Sequence, residues 1–300
     1  MYREGREGVS RLARAIDEIG FDQLDIFDHV VMGHPAEGRA VGPYPPKMPI
    51  IEALMGLSFF AAVTERVGLG TEVLVLPQRH PTVVAKQIAT LDTLSGGRVR
   101  LGVGVGWQES EYDALGVPFA ERGARMNECI RLLRAYWSQD PVTAEGPYYP
   151  VSEMAMEPKP PQGGALPIWI GGHSSVALRR AGQLGDGWMA VRSMADLDGA
   201  KEDIATVRRY AQEAGRDPAA LGFQCQVAPP PRAESAEDRK FYTRPELVVE
   251  AAARLRDAGF DGIAVNATSV FLAGARGIEP LIEALGKLHD RLRAELGPAS

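Results

Sequence analysis

Two cysteines in 300 residues, Cys129 and Cys225, are too few and too far apart to staple a small fold. One falls in a helical pattern and one in a strand pattern, so both read as buried free thiols of a reducing compartment, which points to the cytoplasm. No run of 18 apolar residues occurs, so no membrane span is expected. The opening residues, MYREGREGVSRLARA, are charged and lack the apolar centre of a signal peptide. Basic charge is not in excess either. The 33 Lys and Arg against 39 Asp and Glu leave a net charge of −6, which offers nucleic acid no electrostatic footing. His29, His34, His80, Asp25 and Glu72 show no HxH, HExxH or CxxC spacing, so no metal site is expected.

What is present is a chain of 45% hydrophobic and 24% charged residues, an ordinary balance for a globular protein of this length. It is long enough to bury a large core. The stretch from Val67 to Trp107 organises it. Two apolar, β-branched runs, Val67–Leu76 and Val99–Val105, flank a segment in which Val83, Val84, Ile88, Leu91 and Leu94 recur at helical spacing. Pro81 suits a first helical position, and Ser95-Gly96-Gly97 suits a helix end. The unit reads strand–helix–strand, with strands apolar on nearly every residue, as strands buried on both faces are.

The same alternation continues along the chain. Strands are expected near 23–30, 67–76, 99–105, 166–171, 187–191, 221–227 and 260–265, with helices between them. That pattern implies a parallel sheet in one α/β domain spanning 1–300. Three Pro- or Gly-rich polar excursions, at 33–49, 140–165 and 228–244, interrupt it and are candidate binding loops.

In a barrel of parallel strands the chemistry sits at the C-terminal strand ends. Asp28-His29 ends the first strand in view. His exchanges a proton near neutral pH, and a neighbouring carboxylate can orient it, although a strand-end pair satisfied by backbone would look the same. Gly102-Val103-Gly104-Val105-Gly106 is a glycine-spaced strand. It is not a dinucleotide fingerprint, because Trp107-Gln108 follows and no helix opens at once. Glycine there marks close approach of another group, and Trp107 and Ser110 would rim the resulting pocket. Gly171-Gly172-His173-Ser174-Ser175 ends a strand and opens a helix. Its N–H groups and the positive helix end favour a phosphate, with a plain Ser cap as the simpler reading.

Four pieces carry a resemblance: EIGFDQLDIFDHV at 18–30, LPQRHP through LGVGVGW at 76–107, EYDALGVPFAERGARMNECIRLLRAYW at 111–137, and PIWIGGHSSVALRRAGQLGDGWM at 167–189. Together they resemble the luciferase-like monooxygenase superfamily, and most of all its branch dependent on the deazaflavin coenzyme F420. The resemblance implies a TIM (β/α)8 barrel of the bacterial luciferase type. Only seven strands are counted here, so the first barrel strand is expected to be missing at the N-terminus. It also implies an oxidoreductase passing hydride between coenzyme F420 and a small organic substrate, with Asp28 and His29 catalytic. The ring would be backed by Thr71, Glu72 and Val73, through a non-prolyl cis bond at Glu72–Val73. Gly104, Gly106, Trp107, Ser110 and the Gly171, Gly172, His173, Ser174 turn would hold ring and tail. A related sugar-phosphate dehydrogenase branch carries a catalytic acid where this chain has Trp107, which argues against a sugar phosphate as substrate. The alternatives are an FMNH2-dependent flavin monooxygenase using oxygen, and a non-catalytic flavin-binding protein. A homodimer and a reductase supplying reduced cofactor are the partners implied.

Overall fold

The computed structural model describes residues 4–39, 44–193, 198–228 and 238–297. Parts of two expected binding loops, at 40–43 and 229–237, lie outside the described residues. In chain order the elements are α1 (Gly5–Ile19), β1 (Gln23–Ile26), α2 (Ala53–Ala61), β2 (Gly68–Thr71), β3 (Leu74–Val75), α3 (Pro81–Ser95), β4 (Val99–Gly104), α4 (Glu109–Ala114), α5 (Arg122–Ser138), β5 (Val142–Ala144), β6 (Val151–Met154), β7 (Ile168–Gly171), α6 (Ser175–Leu184), β8 (Gly187–Ser193), α7 (Asp198–Glu213), β9 (Gly222–Ala228), α8 (Pro245–Ala258), β10 (Gly262–Val265), α9 (Ala267–Ala273) and α10 (Ile278–Leu296). Strands occur at all seven expected positions. The second is split at a cis peptide bond between Glu72 and Val73, and the first stops at Ile26, short of Asp28. The short elements β5, β6, α4 and α9 also appear where none was expected. Residues 140–165 contain the antiparallel pair β5–β6, and the carboxylate-bearing stretch after Trp107 is α4.

The chain divides into two compact units. The first comprises Asp25–Ala62 and Gly68–Ile168. In it β2 and β3 both run parallel to β4, Leu69 opposite Val99 and Leu74 opposite Val103. Leu69, Leu74, Leu101 and Val103 are fully or almost fully buried, as both-face burial requires. Helix α3 starts on Pro81 and ends at Gly96, whose φ of 71° the missing Cβ allows. Its Ala85 carbonyl accepts from the buried Trp137 indole of α5 at 3.1 Å. Asp92, on the same helix and fully buried, accepts from the Val99 and Gln162 backbone N–H groups and from the Gln162 amide.

The other unit comprises Met1–Leu24, Val63–Val67 and Trp169–Ser300. Its sheet runs β7-β8-β9-β10, all parallel. Trp169 lies where two glycines leave room: a Cβ on Gly187 or on Gly222 would come within 2.4 Å of its ring. Cys225 of β9 is buried and in no disulfide, as is Cys129 of α5 in the first unit, where burial pushes the thiol up to about 12. Among the described residues no helix is long and apolar enough to cross a membrane.

Helix α1 lays Leu12, Ala13 and Ile16 inward and stops at Gly20. Asp17 on that face is buried and accepts the backbone N–H groups of Glu65, Arg66 and Val67 at 2.9, 3.0 and 2.6 Å. Burial raises the Asp17 carboxyl, and the three N–H donors outweigh it, leaving its pKa below the ordinary value. A group lowered in this way stabilises the fold above its unfolded pKa and loses that contribution as pH falls. Asp17→Ala is therefore expected to lower stability by about 2–3 kcal/mol, the cost of stranding donors that had met a charged acceptor. Measured by urea unfolding, the gap from the native protein should narrow once pH falls below 3.8, the unperturbed value.

Candidate active site

The first unit places a buried histidine and a buried carboxylate against each other just beyond β1. His29 is 7% exposed and Glu111 1%. His29 Nδ1 lies 3.1 Å from Glu111 Oε2. The other carboxylate oxygen accepts from the Val30 and Val31 backbone N–H groups at 2.6 and 3.2 Å. Three residues before Glu111, at the start of α4, Gln108 completes the grip. Its Oε1 accepts from Gly33 N–H at 3.1 Å, and its Nε2 donates to the Val31 carbonyl at 2.7 Å. Burial raises the Glu111 carboxyl. The His29 hydrogen bond, the nearby Gln78 amide and the Val30 N–H outweigh that, so its pKa is lowered. Buried in this way, Glu111 is an anion surrounded by donors.

Asp28 does not hold His29, contrary to the expectation for an adjacent pair. Successive side chains of an extended segment point to opposite sides. Asp28 faces Arg79, which donates to both its oxygens at 2.7 and 2.8 Å, and it also accepts from Val75 N–H at 3.0 Å. Arg79 in addition reaches Glu52 at 3.3 Å. Asp28 thus ties β3 and the start of α3 to the histidine segment through a two-pronged ion pair, and the carboxylate in contact with the imidazole is Glu111.

Aromatic rings surround the histidine. Trp107 and Tyr44 meet His29 edge-on, with centroids 5.4 and 5.7 Å away, and Tyr44 stacks on Phe27 at 5.6 Å. Trp107 is 43% exposed, and Val30 and Val31, which follow His29 in the chain, are equally open. Burial raises the Tyr44 phenol above its ordinary value. Gln78 is also buried, its amide near enough to lower the Glu111 carboxyl but making no close hydrogen bond; Ser110 Oγ likewise makes none. Ser110 packs against Gly33, where a Cβ would approach it to 2.4 Å.

The remaining expected residues divide into two groups. Thr71 is buried with its hydroxyl donated to the Gly102 carbonyl at 2.6 Å. Gly104 and Gly106 are needed by the chain itself: a Cβ on Gly104 would come within 2.6 Å of Val73, and one on Gly106 within 2.7 Å of Val75. The close approach marked by the glycines is that of these two valines, on either side of β3's start. In the other unit the Gly171–Ser174 turn opens α6. Gly172 has φ 117°, and Ser174 caps the helix by accepting from Ala177 N–H at 3.2 Å. His173 turns onto β8, accepting from Val191 N–H at 3.3 Å. Further along α6, Arg179 lies over the Tyr210 ring and Arg180 is buried. Glu111, Gln108, Gln78 and Tyr44 are absent from the sequence-based set. The one signal for the first two was the Q-x-x-E spacing directly after a glycine-rich strand. Among the described residues no three or more His, Cys, Asp or Glu gather to hold a metal.

An α/β chain of parallel strands and helices, with a buried His–carboxylate pair past a strand end, is the frame of an enzyme. The chain belongs to the luciferase-like monooxygenase family, whose model matches residues 3–269. It is 38% identical over 213 residues to an uncharacterized protein of Mycobacterium tuberculosis, covering 68% of this chain and 72% of that one. It is 31% identical over 249 residues to an F420-dependent glucose-6-phosphate dehydrogenase of Kineococcus radiotolerans, covering 80% and 70%. A solved F420-dependent secondary alcohol dehydrogenase, in complex with an F420-acetone adduct, superimposes with a TM-score of 0.75 at 20% identity over 95% of this chain and 94% of that one. The fold is that of the luciferase-like TIM barrels.

Val73 is β-branched and cannot swing aside. Gly104→Ala is expected to destabilise by about 1–3 kcal/mol through overpacking. Adding Val73→Ala, which removes the opposing methyl, should make the double variant more stable than Gly104→Ala alone in thermal unfolding.

Proposed function

We propose that the chain is a coenzyme F420-dependent oxidoreductase acting on a small organic molecule, with His29 exchanging the proton that accompanies hydride transfer. The buried His29–Glu111 pair beside the open Trp107 face carries this reading, and the relatedness to an F420-dependent dehydrogenase supports it. The residues fit such a coenzyme. The buried Ser110 hydroxyl is a polar atom in need of a partner, the Gln78 amide near Glu111 makes no close hydrogen bond, and Trp107 offers a flat apolar surface. Trp107, Ser110, Gln78 and the Thr71–Val73 segment would hold the ring. In the other unit, the Gly171, Gly172, His173 and Ser174 turn is proposed as a phosphate site, through N–H groups at a helix start.

When bound, the deazaflavin supplies or accepts the hydride. The chain's own part is to place an imidazole where a proton can be given or taken, and to keep it there. Arg79 is committed to Asp28 and Glu52, and another cation beside the 29–33 segment is the exposed Arg39 against Gly33. An uncharged substrate suits the Trp107, Val30 and Val31 surface.

The experiment is a titration of purified protein with oxidised F420 and with FMN, followed by hydride transfer from reduced F420 to a panel of carbonyl and alkene acceptors, and from a panel of alcohols to oxidised F420. F420 binding with turnover is expected. His29→Ala should bind the coenzyme within a few-fold of the native protein and lose about 10²–10⁴-fold in turnover, the usual worth of a general acid or base. Tight FMN binding without F420 binding overturns the proposal, and oxygen uptake dependent on reduced FMN then favours the oxygenase reading.

A further inference from the structure

We propose that Glu111 is a positioning residue that locks His29 into a single tautomer, with the proton on Nδ1, so that Nε2 is the only ring atom free to exchange protons. The inference rests on the reading of His29 as the proton-exchanging group and adds what fixes its direction.

The argument starts from the inventory of donors around one carboxylate. Glu111 is 1% exposed and meets Val30 N–H, Val31 N–H and His29 Nδ1 at hydrogen-bond distance, with the Gln78 amide nearby. An ionised carboxylate accepts and cannot donate. The backbone N–H groups at 2.6 and 3.2 Å hold Oε1, and the imidazole nitrogen at 3.1 Å faces Oε2. For that last contact to be a hydrogen bond, Nδ1 must carry the hydrogen. The opposite tautomer would set a lone pair against a buried anion, an arrangement the interior penalises. In the neutral ring Nε2 then keeps its lone pair. When Nε2 takes a proton from a reacting group, an N–H bond forms there and the ring becomes a cation beside the Glu111 anion. When the proton returns it leaves from the same atom, and Nδ1–H stays on Glu111 throughout.

Gln108 makes the lock rigid. Its amide holds the 31–33 backbone from both sides, accepting from Gly33 and donating to Val31. The histidine segment cannot slide relative to Glu111 without breaking these bonds as well. The rings of Trp107 and Tyr44, edge-on to the imidazole, confine its tilt. Carboxylate, amide and rings together leave the imidazole one orientation and one exchanging atom.

The test uses the full chain without coenzyme, labelled with ¹⁵N in the histidine rings. Two-bond and three-bond ¹⁵N–¹H correlations give the tautomer of each of the five histidines at a pH where the rings are neutral, and His29→Asn identifies the His29 signals. Native His29 is expected as the Nδ1–H form. Glu111→Gln keeps an oxygen for the Val30 and Val31 N–H groups but offers an N–H to Nδ1, so His29 should switch to the Nε2–H form. Its turnover with F420 should fall by about 10²–10⁴-fold in kcat with KM little changed, as when a triad's orienting acid becomes an amide. A native ring in the Nε2–H form, or an even mixture, overturns the proposal without need of the variant. So does a folded Glu111→Gln protein with unchanged His29 signals. The two readings fail separately. A locked tautomer with a fully active His29→Ala protein removes the proposed role of His29 and leaves the lock standing. An inactive His29→Ala protein with an unlocked ring does the reverse.

Discussion

A negative charge held away from water must be met by donors, and the arrangement around Glu111 follows from that requirement. Its two oxygens are placed by α4, a helix of six residues whose register brings Gln108 and Glu111 to the same neighbours. Those neighbours are the backbone of residues 30–33 and the imidazole of His29. With the carboxylate absent, the Val30 and Val31 N–H groups and the histidine would lose their acceptor together. The segment beyond β1 belongs to no strand ladder, so side chains rather than sheet pairing define its path.

Other acids repeat the device within each unit. Asp92 holds the starts of β4 and of the 162 turn, Asp28 takes Val75 N–H in addition to Arg79, and Asp17 closes the 65–67 backbone onto α1. In each case a buried carboxylate accepts backbone N–H groups at a strand or in the chain between elements. Such groups are strong because charge-assisted hydrogen bonds exceed neutral ones. They are also unforgiving, since removing the acid strands several donors at once.

Most of the architecture is legible in the sequence because it follows period and punctuation. Helix α3 begins on Pro81 and ends before Gly96, and α8 spans Pro245 to Ala258, as the apolar spacing and the flanking residues indicate. Helix α4 is not legible: six residues, three of them acidic, carry no apolar stripe to reveal a period. The split of the second strand is invisible to composition, since Glu72-Val73 interrupts an otherwise ordinary β-branched run. At the candidate site, His29 can be picked out from its place at the end of the expected strand, but its partner cannot. Asp28 is adjacent in sequence and Glu111 is 82 positions away, and only the folded chain shows that adjacency along an extended backbone separates side chains. The glycines of β4 illustrate a related ambiguity. Their spacing announces that something comes close, and nothing in the letters distinguishes a ligand from Val73 and Val75.

The indole of Trp169 occupies the room left by two glycines on neighbouring strands, Gly187 of β8 and Gly222 of β9. These three positions are one steric unit. A methyl on either glycine collides with the ring, while a smaller residue at 169 opens a void across both strands that no single replacement can refill. Relatives that kept the indole should therefore keep both glycines, whereas relatives that exchanged it gain room for a side chain only at position 222, because a Cβ at 187 still meets the Gly222 carbonyl at 2.8 Å.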